Sequence, residues 1–149
     1  WENLKRDLQM NDGERVFLHV HALLSHGIKL SKLFWPDEES ARTRGETLRT
    51  ELKVEAGSPL ELREARAQQD RSDVGLVEWL ALHERPVDLN IMPQGTLSGF
   101  KEDEFHRSLD PESWRLSYRG VSLDLRKVWQ ETRQVETSAE AWLRSHNPW

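Results

Sequence analysis

Residues 58–83 read SPLELREARAQQDRSDVGLVEWLALH, and how this stretch folds decides how the rest of the chain is arranged. Ser58-Pro59 followed by Glu61 has the form of a helix N-cap, with proline at the first helical position and a capping box closed by the glutamate. The spacing predicts a helix from there to about His83, ending before Pro86. Its apolar stripe is Leu62, Leu76, Val77 and Leu80. Continued through the middle, that stripe brings Ala65, Arg66, Gln69 and Asp73 onto or beside the buried face. From Arg63 to Asp73 the only apolar residues are Ala65 and Ala67, and a charged group on a buried face needs a partner or a cleft. A ligand or partner site is therefore expected at Arg63, Arg66, Gln69, Asp70, Arg71 and Asp73. The plainer reading is a set of helix-surface ion pairs, Asp70 with Arg66 and Asp73 with Gln69, each worth about 0.3 to 0.5 kcal/mol.

Toward the N-terminus, Leu4, Leu8, Val16, Phe17, Val20, Leu23, Leu24, Gly27, Ile28 and Leu30 fall mostly at three- and four-residue steps. They predict one long helix, or two meeting near Asn11-Asp12-Gly13, stopped by Trp35-Pro36. Ser40 to Leu52 follows as a short charged helix held by Leu48 and Leu52. Toward the C-terminus, Val87 to Gly99 carries Pro93, Gly95 and Gly99 and reads as irregular chain. Phe105 to Leu109 and Trp114 to Tyr118 alternate apolar and polar residues around Asp110-Pro-Glu-Ser113, which predicts a β-hairpin. Leu125, Val128, Trp129, Thr132, Val135, Ala139, Trp142 and Leu143 trace one face of a last helix of about twenty residues. The expected fold is mainly α: one domain over residues 1–149, a four- to five-helix bundle with a small β-hairpin inserted before the C-terminal helix.

Composition narrows the function classes. A length of 149 residues suits one ordinary domain. No apolar run approaches the roughly 20 residues that span a bilayer, so no membrane partner is expected. The formal net charge of -5 gives long nucleic acid no general reason to adhere. With no cysteine, disulfides, thiolate metal sites and cysteine nucleophiles are removed together, which fits a cytoplasmic protein. The first residue is Trp1, so residues upstream are expected, and a cleaved signal peptide stays open.

Other constellations are weaker. His19 and His21 diverge by about 200° on a helix, and no third ligand joins His19 and His26, so no metal and no cofactor are expected. Arg15 and His21 sit about 120° apart on their helix. His83-Glu84-Arg85 reads as a helix C-terminus, where cations favour the dipole. Among the seven tryptophans, Trp129 and Trp142 belong to the inner stripe of the last helix. Trp1, Trp35, Trp114 and Trp149 lie near element ends, where aromatic residues serve interfaces.

A set of short phrases follows in order along the chain: Phe34-Trp35-Pro36, Arg44-Gly45-Glu46, Ser58-Pro59-Leu60, Asp88-Leu89-Asn90-Ile91-Met92-Pro93, Asp110-Pro111, Tyr118-Arg119-Gly120 and Asp124-Leu125. Taken together they resemble a bacterial branch of the HEPN domains, a helical superfamily that includes many metal-independent ribonucleases. In active members the third helix is similar to Arg-Asn, any three residues, then His, followed by a Phe-Asp-Glu-Arg-like run and a tryptophan. A gapless placement sets Arg66 on the arginine, Asp73 on the aspartate and Trp79 on the tryptophan, but Ala67 stands for the asparagine and Arg71 for the histidine. Arginine keeps its proton and cannot serve as a general base. The resemblance thus implies a non-catalytic domain with no catalytic residue of its own, binding a partner or an anionic ligand such as RNA, a nucleotide or a protein. It also implies a homodimer whose motifs face each other. Two alternatives stand beside this: a divergent ribonuclease whose base is His19 or His21, and a purely structural or interaction protein.

Overall fold

The computed structural model describes residues 1–93, 96 and 98–146, apart from the side chains of Ser72, Asp73 and Glu102. Gly95 and Trp149, read above as a loop glycine and an interface aromatic, lie outside the described residues. The fold is mainly α. Its helices are α1 (Glu2–Gln9), α2 (Gly13–Phe34), α3 (Arg42–Leu52), α4 (Arg63–Asp70), α5 (Ser72–Leu82) and α6 (Leu125–His146). Its strands are β1 (Val87–Ile91), β2 (Phe105–Asp110), β3 (Arg115–Tyr118) and β4 (Val121–Asp124). Among the described residues no helix is long and apolar enough to cross a membrane. The chain forms two compact units, one of residues 1–20 and 64–126, the other of residues 21–63 and 127 onward.

In the first unit the chain breaks between α1 and α2, where Asn11 takes a left-handed φ of 56°. The Asp12 carboxylate accepts from the Arg15 backbone N–H at 3.1 Å, capping α2. The strands lie in the order β1-β2-β3-β4, with β1 parallel to β2 and the remaining pairs antiparallel. The expected hairpin is β2–β3. The Asp110 carboxylate holds its turn, accepting from the backbone N–H groups of Glu112 (2.8 Å) and Ser113 (3.2 Å). Arg119 and Gly120, at φ 47° and 83°, then supply the doubly positive turn that a two-residue hairpin into β4 requires. Val87 to Ile91, expected to be irregular, is instead a strand. Val87, Leu89 and Ile91 alternate as a strand demands, and the pairing partner β2 lies beyond Pro93, where local turn signals reveal nothing of it.

Register sorts the sheet into rows. Ile91, Leu109, Leu116 and Leu123 are successive partners across the strands, and the neighbouring row is Asn90, Ser108, Ser117 and Ser122. Adjacent rows face opposite sides of a sheet. Leu109 and Leu116 are completely buried, and a Cβ on Gly13 would stand 3.4 Å from the Ile91 side chain. In the polar row Asn90 Nδ2 donates to Ser108 Oγ at 3.2 Å. Leu4, Val16, Phe17 and Val20 complete this core. Trp114, expected at an interface, is buried, its ring 4.6 Å from that of Trp1.

Asp7 is a buried carboxylate in this unit. Arg6 Nε donates to it at 3.2 Å, and His19 Nε2 lies 3.0 Å from its other oxygen. Burial by itself would raise its pKa, but the hydrogen bonds and charges of Arg6 and His19 outweigh that and hold it below the ordinary 3.8. The unfolded chain therefore binds the Asp7 proton more tightly. The stabilisation is complete above the unfolded pKa of about 3.9 and is lost as pH falls through the lower folded value. In urea titrations the stability difference between wild type and Asp7→Asn should accordingly narrow as pH drops from about 5 toward about 3. A difference that stays constant would reject this account.

In the second unit, Leu60 and Leu62 are buried while Glu61 between them is partly exposed. A helix would turn Leu60 and Leu62 about 200° apart, so the segment is not helical; it runs through tight turns, the Leu62 N–H donating also to the Leu60 carbonyl at 2.9 Å. Ser58 Oγ accepts from the Leu60 N–H at 3.2 Å, and the Leu62 N–H donates to the fully buried Ser31 Oγ at 3.1 Å. Ser58 therefore makes a local turn, not the expected N-cap, and the helix starts at Arg63. Val128 and Val135 of α6 are buried, but the stripe emerges at the end, where Trp142 is 37% exposed. Trp142 is thus no core residue. It stacks on His146 with ring centroids 4.2 Å apart and donates its indole N–H to Glu51 at 2.9 Å.

Candidate functional site

The polar run, expected within one continuous helix, is instead the place where the helix breaks. Arg71, at φ -108° and ψ 26°, separates α4 from α5. A non-helical residue resets the phase, so a stripe counted from Leu62 no longer applies beyond it. Hence Val77 and Leu80, expected to be buried, are 67% and 48% exposed, and Trp79 is the residue of α5 that enters the core. Its indole N–H donates to the Asp103 carbonyl at 2.7 Å, and its ring lies 5.3 Å from His83 and 5.4 Å from His106. The Trp79 carbonyl accepts in turn from His83 Nδ1 at 2.7 Å.

These contacts shape a pocket of about 270 Å³ in the first unit, lined by Ala67, Gln68, Arg71, Gly75, Glu78, Trp79, Leu82, His83, Asp103 and Arg119. Two guanidinium groups reach it from different elements. Arg71 stands at the helix break, with Nη2 3.1 and 3.3 Å from the two carboxylate oxygens of Glu78. Arg119 comes from the β3–β4 turn, donates to the Tyr118 hydroxyl and lies 4.6 Å from that ring's centroid. Its guanidinium can enter because residue 75 is glycine: a Cβ there would stand 2.7 Å from Arg119 Nη1. On the other wall, His83 Nε2 is 3.7 Å from Asp103 Oδ2.

Behind Trp79, burial pushes the His106 ring below its ordinary 6.5; the Asp88 hydrogen bond pulls the other way, and the Arg119 and Arg107 charges push it further down. The neutral ring donates Nδ1–H to Asp88 at 3.1 Å. That hydrogen bond, aided by Arg107 at 2.9 Å, holds Asp88 below the usual carboxylate range against the effect of burial.

Of the six residues expected to form a site, Arg71 lines the pocket. Arg66 is buried, while Gln69 and Asp70 are exposed on α4. Arg63 is exposed, belongs to the second unit and donates to Glu61 at 2.7 Å. The Asp73 side chain lies outside the described residues. Ala67 and Arg71, the positions where the resembled family has asparagine and histidine, line the same pocket one helical turn apart. The sequence reading did not assign Glu78, Asp103 or Arg119 to a site, and took His83 as a helix end. Arg119 had no local signal beyond its turn, because pairing of β2 with β3 is what brings it to α5.

Two arginines in one pocket can take an anion through charge-assisted, bidentate hydrogen bonds. Among the described residues no group of three or more His, Cys, Asp and Glu side chains could hold a metal ion. No protein-family model, curated protein or solved structure matches the chain.

Proposed function

We propose that the chain is a non-catalytic HEPN-like domain that binds a phosphate ester, carried by a nucleotide or by RNA, in the pocket at the α4–α5 break. The observation that carries this reading is the meeting of Arg71 and Arg119 in one pocket, with Gly75 leaving room for the second guanidinium. Guanidinium is the side chain best matched to phosphate. Arg71, in the position of the family base, keeps its proton, which supports binding over cleavage. The homodimer implied by the family resemblance is part of the same proposal and is read from the mass in solution.

The test is fluorescence anisotropy with a labelled single-stranded RNA octamer, beside calorimetry with a nucleoside monophosphate. Arg71→Ala and Arg119→Ala should each weaken binding about tenfold at low salt without altering the thermal transition. Binding of the octamer alone assigns RNA as the source of the phosphate, and binding of both assigns the nucleotide unit. Failure of both to bind wild type, or metal-free cleavage of the octamer that Arg71→Ala abolishes, overturns the proposal.

A further inference from the structure

We infer that His83 is a third anion-contacting group of this pocket, so that phosphate is taken up together with a proton. The inference rests on the phosphate-binding reading above. The fixed charges that line the pocket are Arg71 and Arg119 against Glu78 and Asp103, which cancel. The Arg71 charge is also partly used by Glu78, 3.1 Å away. With a neutral His83 an anion relies on the two guanidinium groups alone; a charged His83 adds a third attraction. The ring is placed for this. Its side chain is 15% exposed, and its Nδ1–H is committed to the Trp79 carbonyl at 2.7 Å. The second proton must therefore sit on Nε2, the nitrogen 3.7 Å from Asp103 on the pocket wall.

The groups that face the ring come from each neighbouring element. Asp103 comes from the 3-10 turn Glu102–Glu104, Arg119 from the β3–β4 turn, Arg71 from the helix break and Glu78 from α5. His106 of β2 lies beyond the Trp79 ring, engaged by Asp88. A bound phosphate adds negative charge beside the ring, which favours the protonated imidazole. By linkage, a ligand that raises proton affinity is itself bound more tightly when the proton is present.

The experiment measures affinity for the labelled RNA octamer, whose phosphodiesters keep their charge throughout, from about pH 8 to about pH 5.5 at constant low salt. Wild type should bind about tenfold more tightly at the acid end. In His83→Asn, whose amide can still donate to the Trp79 carbonyl, most of that rise should vanish. In wild type, NMR of the His83 ring should show its titration midpoint moving upward when the octamer is added. A pH-independent affinity, an equal rise in His83→Asn, or an unmoved midpoint overturns the role of His83 and leaves the phosphate-binding reading standing. Absence of binding at every pH overturns both.

Discussion

Gly45→Ala is expected to cost about 2 to 3 kcal/mol of folding stability, seen as a thermal midpoint lower by about 5 to 10 °C. Gly45 is buried in α3, where alanine would ordinarily help the helix by up to about 1 kcal/mol. Here a Cβ would meet the Phe34 carbonyl oxygen and Pro36 Cδ, both at 2.7 Å. Neither is the end of a flexible side chain. Phe34 is fully buried, and its carbonyl, at the last turn of α2 where no helical donor remains, accepts from the Arg49 guanidinium. The same guanidinium lies 5.4 Å from the centre of the Trp35 ring. Moving α3 outward to admit a methyl group would loosen that carbonyl's hydrogen bond and the cation–π contact together. Gly57→Ala is the control: nothing lies within 4 Å of its Cβ, so it bears only the strain of a left-handed φ of 77°. A Gly45→Ala protein that melts within a degree or so of wild type would refute the close approach.

Gly75→Ala should separate stability from binding, with effects of opposite sign. The new Cβ lies 2.7 Å from Arg119 Nη1, the far end of a flexible side chain that can swing away. Alanine is favoured over glycine within a helix by up to about 1 kcal/mol, so the thermal midpoint should hold or rise. The pocket, however, loses one of its two cations, and affinity for the RNA octamer should fall about tenfold or more. Gly75→Ala and Arg119→Ala act on the same guanidinium. The double variant should therefore bind no worse than either single one, a non-additivity that a double-mutant cycle reads directly. Wild-type affinity in Gly75→Ala would remove Arg119 from the site.

Much of the helical layout was legible because it is written locally. The α1–α2 break follows from Asn11-Asp12-Gly13, the end of α2 from Trp35-Pro36, and the hairpin from the alternation on either side of Asp110-Pro111. The errors came where a distant partner decides. Leu60 and Leu62 forgo helical geometry because two buried positions and a serine hydroxyl from α2 reward the non-helical form. β1 exists because β2 pairs with it. The polar run did mark the neighbourhood of the pocket, through Arg71. The other walls come from Asp103 and Arg119, which no periodicity within residues 58–83 could assign.

The paired rows of the sheet bear on how the chain avoids misassembly. A slip of one residue between any two strands would carry a leucine of the Ile91-Leu109-Leu116-Leu123 row into line with the serines of the neighbouring row. Every off-register pairing is thus penalised by a hydroxyl placed among the buried leucines. Short strands such as β3 and β4 hold few ladder hydrogen bonds with which to fix their alignment. For them the alternating leucine and serine rows supply the alignment that the few ladder bonds cannot.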